Sequence, residues 1–227
     1  MSDKTSDARG SAVRVADQLR DRIIAGDLEP GQPLREVAAA GELGVARTTL
    51  REAFRLLAAD GLVEVVFNRG TVVKTLTAAD VRDIYIARRT LEVKAAEESV
   101  LADQAGLDAL VDAIDAVQQA ESAGAWREVG TASLGFHETI VALLGSPLLD
   151  EFFRNIVARL RLAFGDAGDD ETFHRPWLPR DAEICTMLRS GRRAEAAAEL
   201  RAYLDGSERA VLDRMRMTGL LEESVER

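Results

Sequence analysis

The sequence contains little cysteine and histidine, and these shortages exclude several kinds of site. Its single cysteine, Cys185, cannot form a disulfide within the chain or support a zinc centre built from several cysteines. Its two histidines, His137 and His174, are too few for a centre with three imidazole ligands. The chain therefore has neither a disulfide scaffold nor a cysteine-rich structural zinc site.

Long apolar runs are also missing. No stretch approaches the ~20 apolar residues that a bilayer-spanning helix needs, and the polar first ten residues do not resemble a secretory signal peptide. We expect a cytoplasmic protein with no membrane partner. The hydrophobic content of 47% is typical of a globular chain and argues against general disorder.

Positive charge is scarce overall, but its distribution along the chain is uneven. The formal net charge of the 227 residues is −10. Residues 1–75 carry 11 basic and 11 acidic side chains, which leaves 18 basic and 28 acidic side chains for residues 76–227. A neutral first part can still present a local basic stripe to nucleic acid, whereas the acidic remainder should lie away from phosphate.

The first part of the chain shows three helical patterns followed by a hairpin pattern. Apolar residues recur at helical spacing in residues 13–24, and further helices are predicted for 36–43 and from 46–48 to about 59. The β-branched runs 62–66 and 71–74 flank turn residues, which predicts a β-hairpin. This order within about 65 residues is the layout of a winged helix-turn-helix.

The remaining chain is predicted to be helical throughout. Glycines separate six helical stretches, at about 78–104, 106–122, 125–144, 147–165, 177–190 and 192–216. The predicted fold is mostly α: an N-terminal winged helix-turn-helix with a small β-hairpin wing, then a C-terminal antiparallel bundle of about six helices. The predicted segments are a disordered tail (1–10), a DNA-binding domain (11–76), an all-helical effector-binding and dimerisation domain (77–219) and a C-terminal tail (220–227).

The third predicted helix carries an arginine stripe suited to DNA. Arg47, Arg51 and Arg55 are spaced four residues apart and therefore share one face of the helix. Arginine can contact guanine O6 and N7 bidentately, and the hydroxyls of Thr48 and Thr49 at the helix start suit a phosphate oxygen. The alternative is a solvated helix face whose arginines pair locally with acids such as Glu52.

The predicted hairpin tip is short, polar and basic. It contains Asn68, Arg69 and Gly70. Tips of this kind lie against the sugar-phosphate backbone or in the minor groove, although a hairpin can also be simple structure. The combination of a Gly-Val turn, an arginine stripe and a basic wing favours DNA binding.

These motifs resemble those of a known family of regulators. Residues 19–31, 43–54, 60–63 and 69–73 resemble the gluconate-repressor-like (GntR) superfamily over nearly all of residues 13–75. The resemblance implies DNA contacts from Arg47, Thr48, Thr49 and Arg51, assisted by the wing tip. Two positions depart from the pattern: Ala46 stands where serine or threonine is common, and Val37 where a polar or basic residue is common.

The second part resembles the all-helical FCD effector domain of the FadR-like branch, vanillate-regulator type. The similarity lies in residues 84–92, 136–138 and 145–149 and extends more weakly over 78–216. It implies a divalent metal held by one aspartate and three histidines. The corresponding positions here are Ser133, His137, Asp181 and Tyr203, so one of the four keeps its ligand. The metal set is depleted, and we expect no cofactor.

A polar cavity is predicted from these four positions together with Arg88. One interpretation is weak metal binding by His137 and Asp181; the favoured one is a hydrogen bond from His137 to Asp181 or Tyr203. Arg88 either binds an effector carboxylate bidentately or forms a buried ion pair with Glu92 or another acid. His174, in a proline-containing stretch, is predicted to be a loop residue.

The sequence thus predicts a homodimeric repressor, not an enzyme, that binds double-stranded operator DNA and is released by a small organic effector, expected to be a carboxylate. One alternative is a helical metal- or ligand-binding enzyme that uses its winged helix for protein contacts, but the sequence contains no recognisable catalytic constellation. The other is a DNA-binding dimer that needs no effector.

Overall fold

A computed structural model describes residues 3–164 and 171–217, with side chains described from Gly10 onward. The chain divides between Thr75 and Leu76 into two compact units. Among the described helices, none combines the length and apolar character that crossing a bilayer requires. The predicted C-terminal tail, 220–227, lies outside the described residues.

The first unit contains three helices and a two-stranded antiparallel sheet. These are α1 (Asp3–Ala25), α2 (Glu36–Glu42), α3 (Arg47–Ala59), β1 (Val63–Val66) and β2 (Gly70–Val73). Helix α1 packs on α3. The core of this contact is formed by apolar residues at helical spacing, namely Val15, Ala16, Leu19 and Ile23 on α1 and Leu50, Ala53, Phe54 and Leu57 on α3.

The helix α1 starts earlier than the sequence predicts. It begins at Asp3, so residues 3–10 are helical where a disordered tail was expected. Once the apolar face of α1 is docked on α3, each added residue gains a backbone hydrogen bond without a new nucleation cost. No proline occurs in these residues to stop that extension.

The hairpin is the predicted wing, and it is tied to the chain that leads into α2. Val63 pairs with Val73 and Val66 with Gly70. On the other edge of β2, the Leu34 N–H donates to the Thr71 carbonyl at 2.8 Å. Because Leu34 lies two residues before α2, the wing is anchored beside the helix-turn-helix.

The second unit is all helical over its described residues, so the predicted fold class is confirmed. Helix α4 packs extensively on α10, α5 on α6, and α6 on α7. The α-helices are α4 (Ala78–Glu98), α5 (Gln104–Ser122), α6 (Trp126–Ala142), α7 (Pro147–Arg161), α8 (Glu171–His174), α9 (Leu178–Arg189) and α10 (Arg193–Met217).

Two local features differ from the six predicted helices. The first predicted stretch, 78–104, ends at Glu98 and continues as a 3₁₀ turn, Ser99–Leu101, where the Ser99 hydroxyl donates to the Ala96 carbonyl at 2.8 Å. Such a local side-chain bond competes with regular helix. The short helix α8 was not predicted; the ion pair of Glu171 with Arg175, four residues later, supports it.

Candidate nucleic-acid interface and effector cavity

Helix α3 buries its apolar face and presents its arginines to solvent. The side chains of Arg47 and Arg51 are 58% and 56% exposed, and Arg55 on the next turn is exposed too. The buried residues of the same helix face α1. The two predicted reading arginines therefore project outward from a helix that the core holds in place.

A carboxylate on α2 holds both of these arginines. Glu36 accepts from Arg51 Nε at 2.9 and 3.0 Å and from Arg47 Nη2 at 3.4 Å. The hydrogen bond from Arg51 is the main reason that the pKa of Glu36 lies below its ordinary value. Glu36 binds Arg51 through Nε rather than through the terminal nitrogens with which arginine contacts guanine bidentately, whereas it binds Arg47 through the terminal Nη2.

Sequence reasoning missed Glu36. It precedes Arg47 by eleven residues and Arg51 by fifteen, on a different helix. No helical periodicity relates Glu36 to the two arginines, and the packing of α2 against α3 brings them together. An acidic residue at the start of α2 is also an ordinary helix-capping feature, so its type carried no separate signal.

The other predicted DNA-contacting residues lie at the start of α3 and at the wing tip. Thr48 is exposed and Thr49 half-buried in the first turn of α3. Asn68, Arg69 and Gly70 are exposed, and the tip is closed by a hydrogen bond of 3.1 Å from the Arg69 N–H to the Val66 carbonyl. Asn68 adopts a left-handed backbone with φ of 61°, which asparagine tolerates better than most residues.

The second unit contains a small, mostly apolar cavity with several polar side chains in its lining. Arg88, Ser133, His137 and Tyr203 all line it, and the predicted Asp181 lies behind them, fully buried. The space open to the centre of a water molecule is about 30 Å³. That space is large enough for a water molecule, which needs roughly 10–15 Å³ by this measure. An organic acid would have to displace lining side chains.

A buried hydrogen-bonded group links Glu92 to two side chains of the cavity lining, Arg88 and His137. Glu92 accepts from Arg88 Nε at 2.7 Å through one oxygen and lies 2.6 Å from His137 Nδ1 through the other. The expected hydrogen bond of His137 to Asp181 or Tyr203 was wrong. Packing of α4 on α6 places Glu92 against the imidazole instead, and the rings of His137 and Tyr203 are in contact with centroids 4.9 Å apart.

The charge state of Glu92 follows from its neighbours. Burial raises its pKa, but the attraction of Arg88 and His137 outweighs that effect, so the pKa lies below the ordinary 4.5. Glu92 is therefore a carboxylate at neutral pH, and His137 donates its Nδ1 proton to it. That arrangement leaves His137 Nε2 as the nitrogen directed to Asp181.

Asp181, behind the cavity lining, is incompletely hydrogen-bonded. The Ser133 hydroxyl donates to Asp181 Oδ2 at 2.8 Å, and Asp181 Oδ1 lies 3.6 Å from His137 Nε2. Burial raises the pKa of Asp181 above its ordinary value. Within the described residues, three fully buried atoms at this wall have no hydrogen-bond partner: Arg88 Nη2, His137 Nε2 and Asp181 Oδ1.

The residues present do not fit the metal centre that the FCD resemblance implies. Of the four expected ligand positions, Ser133 and Tyr203 replace stronger ligands, and only His137 Nε2 and Asp181 Oδ1 remain as a pair of typical donors. Over 3–164 and 171–217, no group of three or more histidine, cysteine, aspartate or glutamate side chains is placed to hold a metal ion.

His174 is a cavity residue rather than the loop residue predicted from sequence. It ends the short helix α8, is buried and lines the cavity. Its ring contacts Phe164 and Phe173 and lies directly over Gly130, where an added Cβ would be 2.6 Å from His174 Cε1. The signal that sequence reasoning missed is Gly130, because a glycine inside a predicted helix can mark a place where another group packs closely against the backbone.

The sequence comparisons agree with both halves of this architecture. Residues 11–73 match the bacterial regulatory proteins of the gntR family, and residues 83–206 match the FCD domain. The chain belongs to the GntR family. Its GntR helix-turn-helix and FCD bundle correspond to the two compact units, and the resemblance drawn from the sequence motifs is confirmed.

Individual GntR relatives extend the comparison. The chain is 35% identical over 131 residues to the uncharacterized HTH-type regulator YdhC and 30% identical over 150 residues to the gluconate operon transcriptional repressor, both of Bacillus subtilis (strain 168). The matches cover 57% and 64% of this chain but only 58% and 60% of those relatives.

A solved structure matches over a larger share of the chain. A candidate GntR transcriptional regulator from Rhodococcus sp. RHA1 is 35% identical, with a TM-score of 0.82. The match covers 89% of this chain and 97% of that one.

Replacing Gly130 by alanine should destabilise the FCD bundle. The new methyl would overlap the buried His174 ring, and overpacking of this kind costs typically ~1–3 kcal/mol. Gly135→Ala is the matched control, because it lies in the same helix and nothing is within 4 Å of its added Cβ. We expect chemical denaturation to show a loss for G130A and none for G135A; equal stabilities would contradict the close approach.

Replacing Glu92 by glutamine should cause a larger, pH-dependent loss. Removing one partner of a buried ion pair costs about 3–5 kcal/mol. The folded pKa of Glu92 is below 4.5, so its contribution is fully present above about pH 4.5 and is lost as the pH falls through the folded pKa. The difference between wild type and E92Q, from urea unfolding at several pH values, should therefore shrink in acid. A constant difference would contradict an ionised Glu92.

Proposed function

We propose that this GntR protein is a ligand-responsive, sequence-specific DNA-binding repressor that acts as a cytoplasmic homodimer. The observation that carries the proposal is the exposed pair Arg47 and Arg51, one helical turn apart on α3 and both held by Glu36. Two such helices in a dimer would read two half-sites of a pseudo-palindrome through the major groove. Thr48, Thr49 and the wing tip residues Asn68, Arg69 and Gly70 would contact the backbone and the minor groove.

The FCD cavity is proposed to receive a small organic carboxylate. Arg88 uses Nε for Glu92, and its buried Nη2 still lacks a partner within the described residues. A carboxylate is the acceptor that suits a buried guanidinium. The ion pair and the effector contact are thus compatible on one side chain. Because the cavity is small, the bound arrangement must differ from this one, and an effector that favours it would shift the population and so DNA affinity.

The cavity is proposed to work without a resident metal, and the protein without catalytic activity. Ser133 and Tyr203 replace two of the ligands that the FCD resemblance implies. The gntR family that residues 11–73 match is a family of regulatory proteins. Metal content of the purified protein, measured by plasma mass spectrometry, tests the first statement: one bound metal per chain would refute it.

Replacing Arg47 or Arg51 by alanine should weaken specific DNA retardation. The duplex is obtained by selection from a random library with the wild-type protein. Each lost base contact costs ~1–3 kcal/mol of discrimination, which is roughly five- to 150-fold in affinity. Arg192→Ala is the control, because Arg192 is also exposed and paired with a carboxylate, Glu195, but lies in the FCD unit.

Two further measurements decide between the candidate roles of α3. Sedimentation should show that both arginine variants keep the wild-type oligomeric state. Wild-type affinity should fall steeply with salt because phosphate contacts release counterions. If R47A and R51A bind the selected duplex as well as wild type, α3 is not the reading helix.

An organic acid should stabilise the protein and release it from DNA. Gluconate is the first probe, since a relative is named as the repressor of a gluconate operon, and glucose is its uncharged counterpart. A specific ligand at 100 times its Kd stabilises by about 2.7 kcal/mol, which raises the thermal midpoint. Acetate and lactate extend the panel.

The Arg88→Lys variant should weaken the response to the active acid, because lysine keeps the charge beside Glu92 but lacks the planar donor pair. Arg89→Lys is the control, since neighbouring Arg89 pairs at the surface with Asp205 and Glu208. A response that survives R88K unchanged would place the carboxylate elsewhere, and the lack of any response in the panel would favour an effector-independent dimer.

A further inference from the structure

Phe67 is the most exposed large apolar side chain of the described residues, at 89%. Single exposed apolar side chains are common on protein surfaces, so exposure alone carries no argument. The position of Phe67 is the informative feature, because it lies at the tip of the wing, next to Asn68 and Arg69. Turn tips favour glycine, asparagine, aspartate and proline, which makes an aromatic residue there unexpected.

The backbone that carries this ring is held by the hairpin. Val66, directly before Phe67, pairs with Gly70. The Arg69 N–H donates to the Val66 carbonyl at 3.1 Å and closes the turn that contains Phe67 and Asn68. The ring therefore projects from the closed end of a two-stranded ribbon, and its position is set by the pairing of β1 and β2.

The wing tip also lies close to the reading arginines within the same unit. Thr71, next to Gly70, accepts from the Leu34 N–H at 2.8 Å, and two residues later Glu36 binds Arg51. Adding the standard backbone spacings along this path gives an upper limit of about 25 Å for the distance between the Cα atoms of Phe67 and Glu36. A duplex bound by Arg51 in its major groove is thus within reach of the tip.

The side chains around Phe67 suit the minor groove. Arg69 is exposed and cationic, and the negative potential of a narrow minor groove attracts arginine. Asn68 supplies a short polar group for the base edges. An apolar ring between such groups matches the wedges that minor-groove proteins insert between base steps.

We propose that Phe67 is a DNA-intercalating wedge that inserts between two stacked base pairs of the minor groove and kinks the operator. This inference rests on the proposed DNA-binding function. The wedge would contribute to sequence specificity without a hydrogen bond, because insertion favours a pyrimidine–purine step, which is readily unstacked. Two wedges, one from each subunit of a dimer, would bend the site at symmetric positions.

The test uses the full-length protein and a duplex selected from a random library with wild type. Bending is measured by energy transfer between dyes at the duplex ends. Unstacking is measured by the fluorescence of 2-aminopurine placed at each minor-groove step in turn. Wild type should kink the duplex by roughly 20–90° and raise 2-aminopurine fluorescence at one step per half-site.

Phe67→Ala should remove both signals and weaken binding about tenfold, as expected for a lost stacking contact, while Phe67→Leu retains part of the bend. Val65→Ala is the matched control, since Val65 is 79% exposed on the same hairpin but lies within β1. It should bend and bind DNA as wild type does.

Several outcomes would overturn the wedge. The proposal is wrong if F67A binds and bends the selected duplex as wild type does. It is also wrong if the wild-type complex contains no unstacked step. A change of oligomeric state or thermal midpoint in F67A would mean that Phe67 contacts protein instead. If wild type selects no duplex at all, the proposed function itself fails, and that result is distinct from a bound but unbent duplex.

Discussion

The carboxylate of Glu92, fully buried between a guanidinium and an imidazole, is the interaction on which the polar interior of the FCD unit depends. Burial penalises its charge, and the Arg88 guanidinium together with the hydrogen bond from His137 makes the ionised form stable there. Its bond to His137 Nδ1 turns the other ring nitrogen toward Asp181. Its bond to Arg88 Nε leaves a second nitrogen of the same guanidinium at the wall. One carboxylate thereby determines which polar atoms the cavity can offer.

Glu36 performs a related task on the DNA-binding unit, under different physical conditions. It also orients cationic side chains, Arg47 and Arg51, but at a solvent-exposed surface. Water and salt screen such a pair, so its contribution to stability is small. Its effect is instead to limit the conformations of the Arg47 and Arg51 side chains in the protein without DNA. The same chemical pairing thus supports folding inside the bundle and preorganisation at the surface.

Local spacing explains which parts of the site the sequence could predict. Arg47 and Arg51 share a face because four residues make about one helical turn, and their exposure follows from the apolar residues opposite. The hairpin follows from β-branched runs around a turn that contains Asn68 and Gly70. Sequence reasoning did not predict the contacts of Glu36 and His174 or the partner of His137, because each of these contacts joins residues of different elements. The sequence contains no periodicity across such distances.

The sequence by itself determined the order of elements, the fold class, the arginine face and the family. All of these depend on residue type and on the spacing of residues within a few helical turns of one another. Tertiary structure alone decided that Asp181 lies behind the cavity wall, that His174 lies over Gly130, and that the cavity is too small for an organic acid as it stands. These facts depend on how helices pack, and packing distances of a few ångströms are set by many side chains at once.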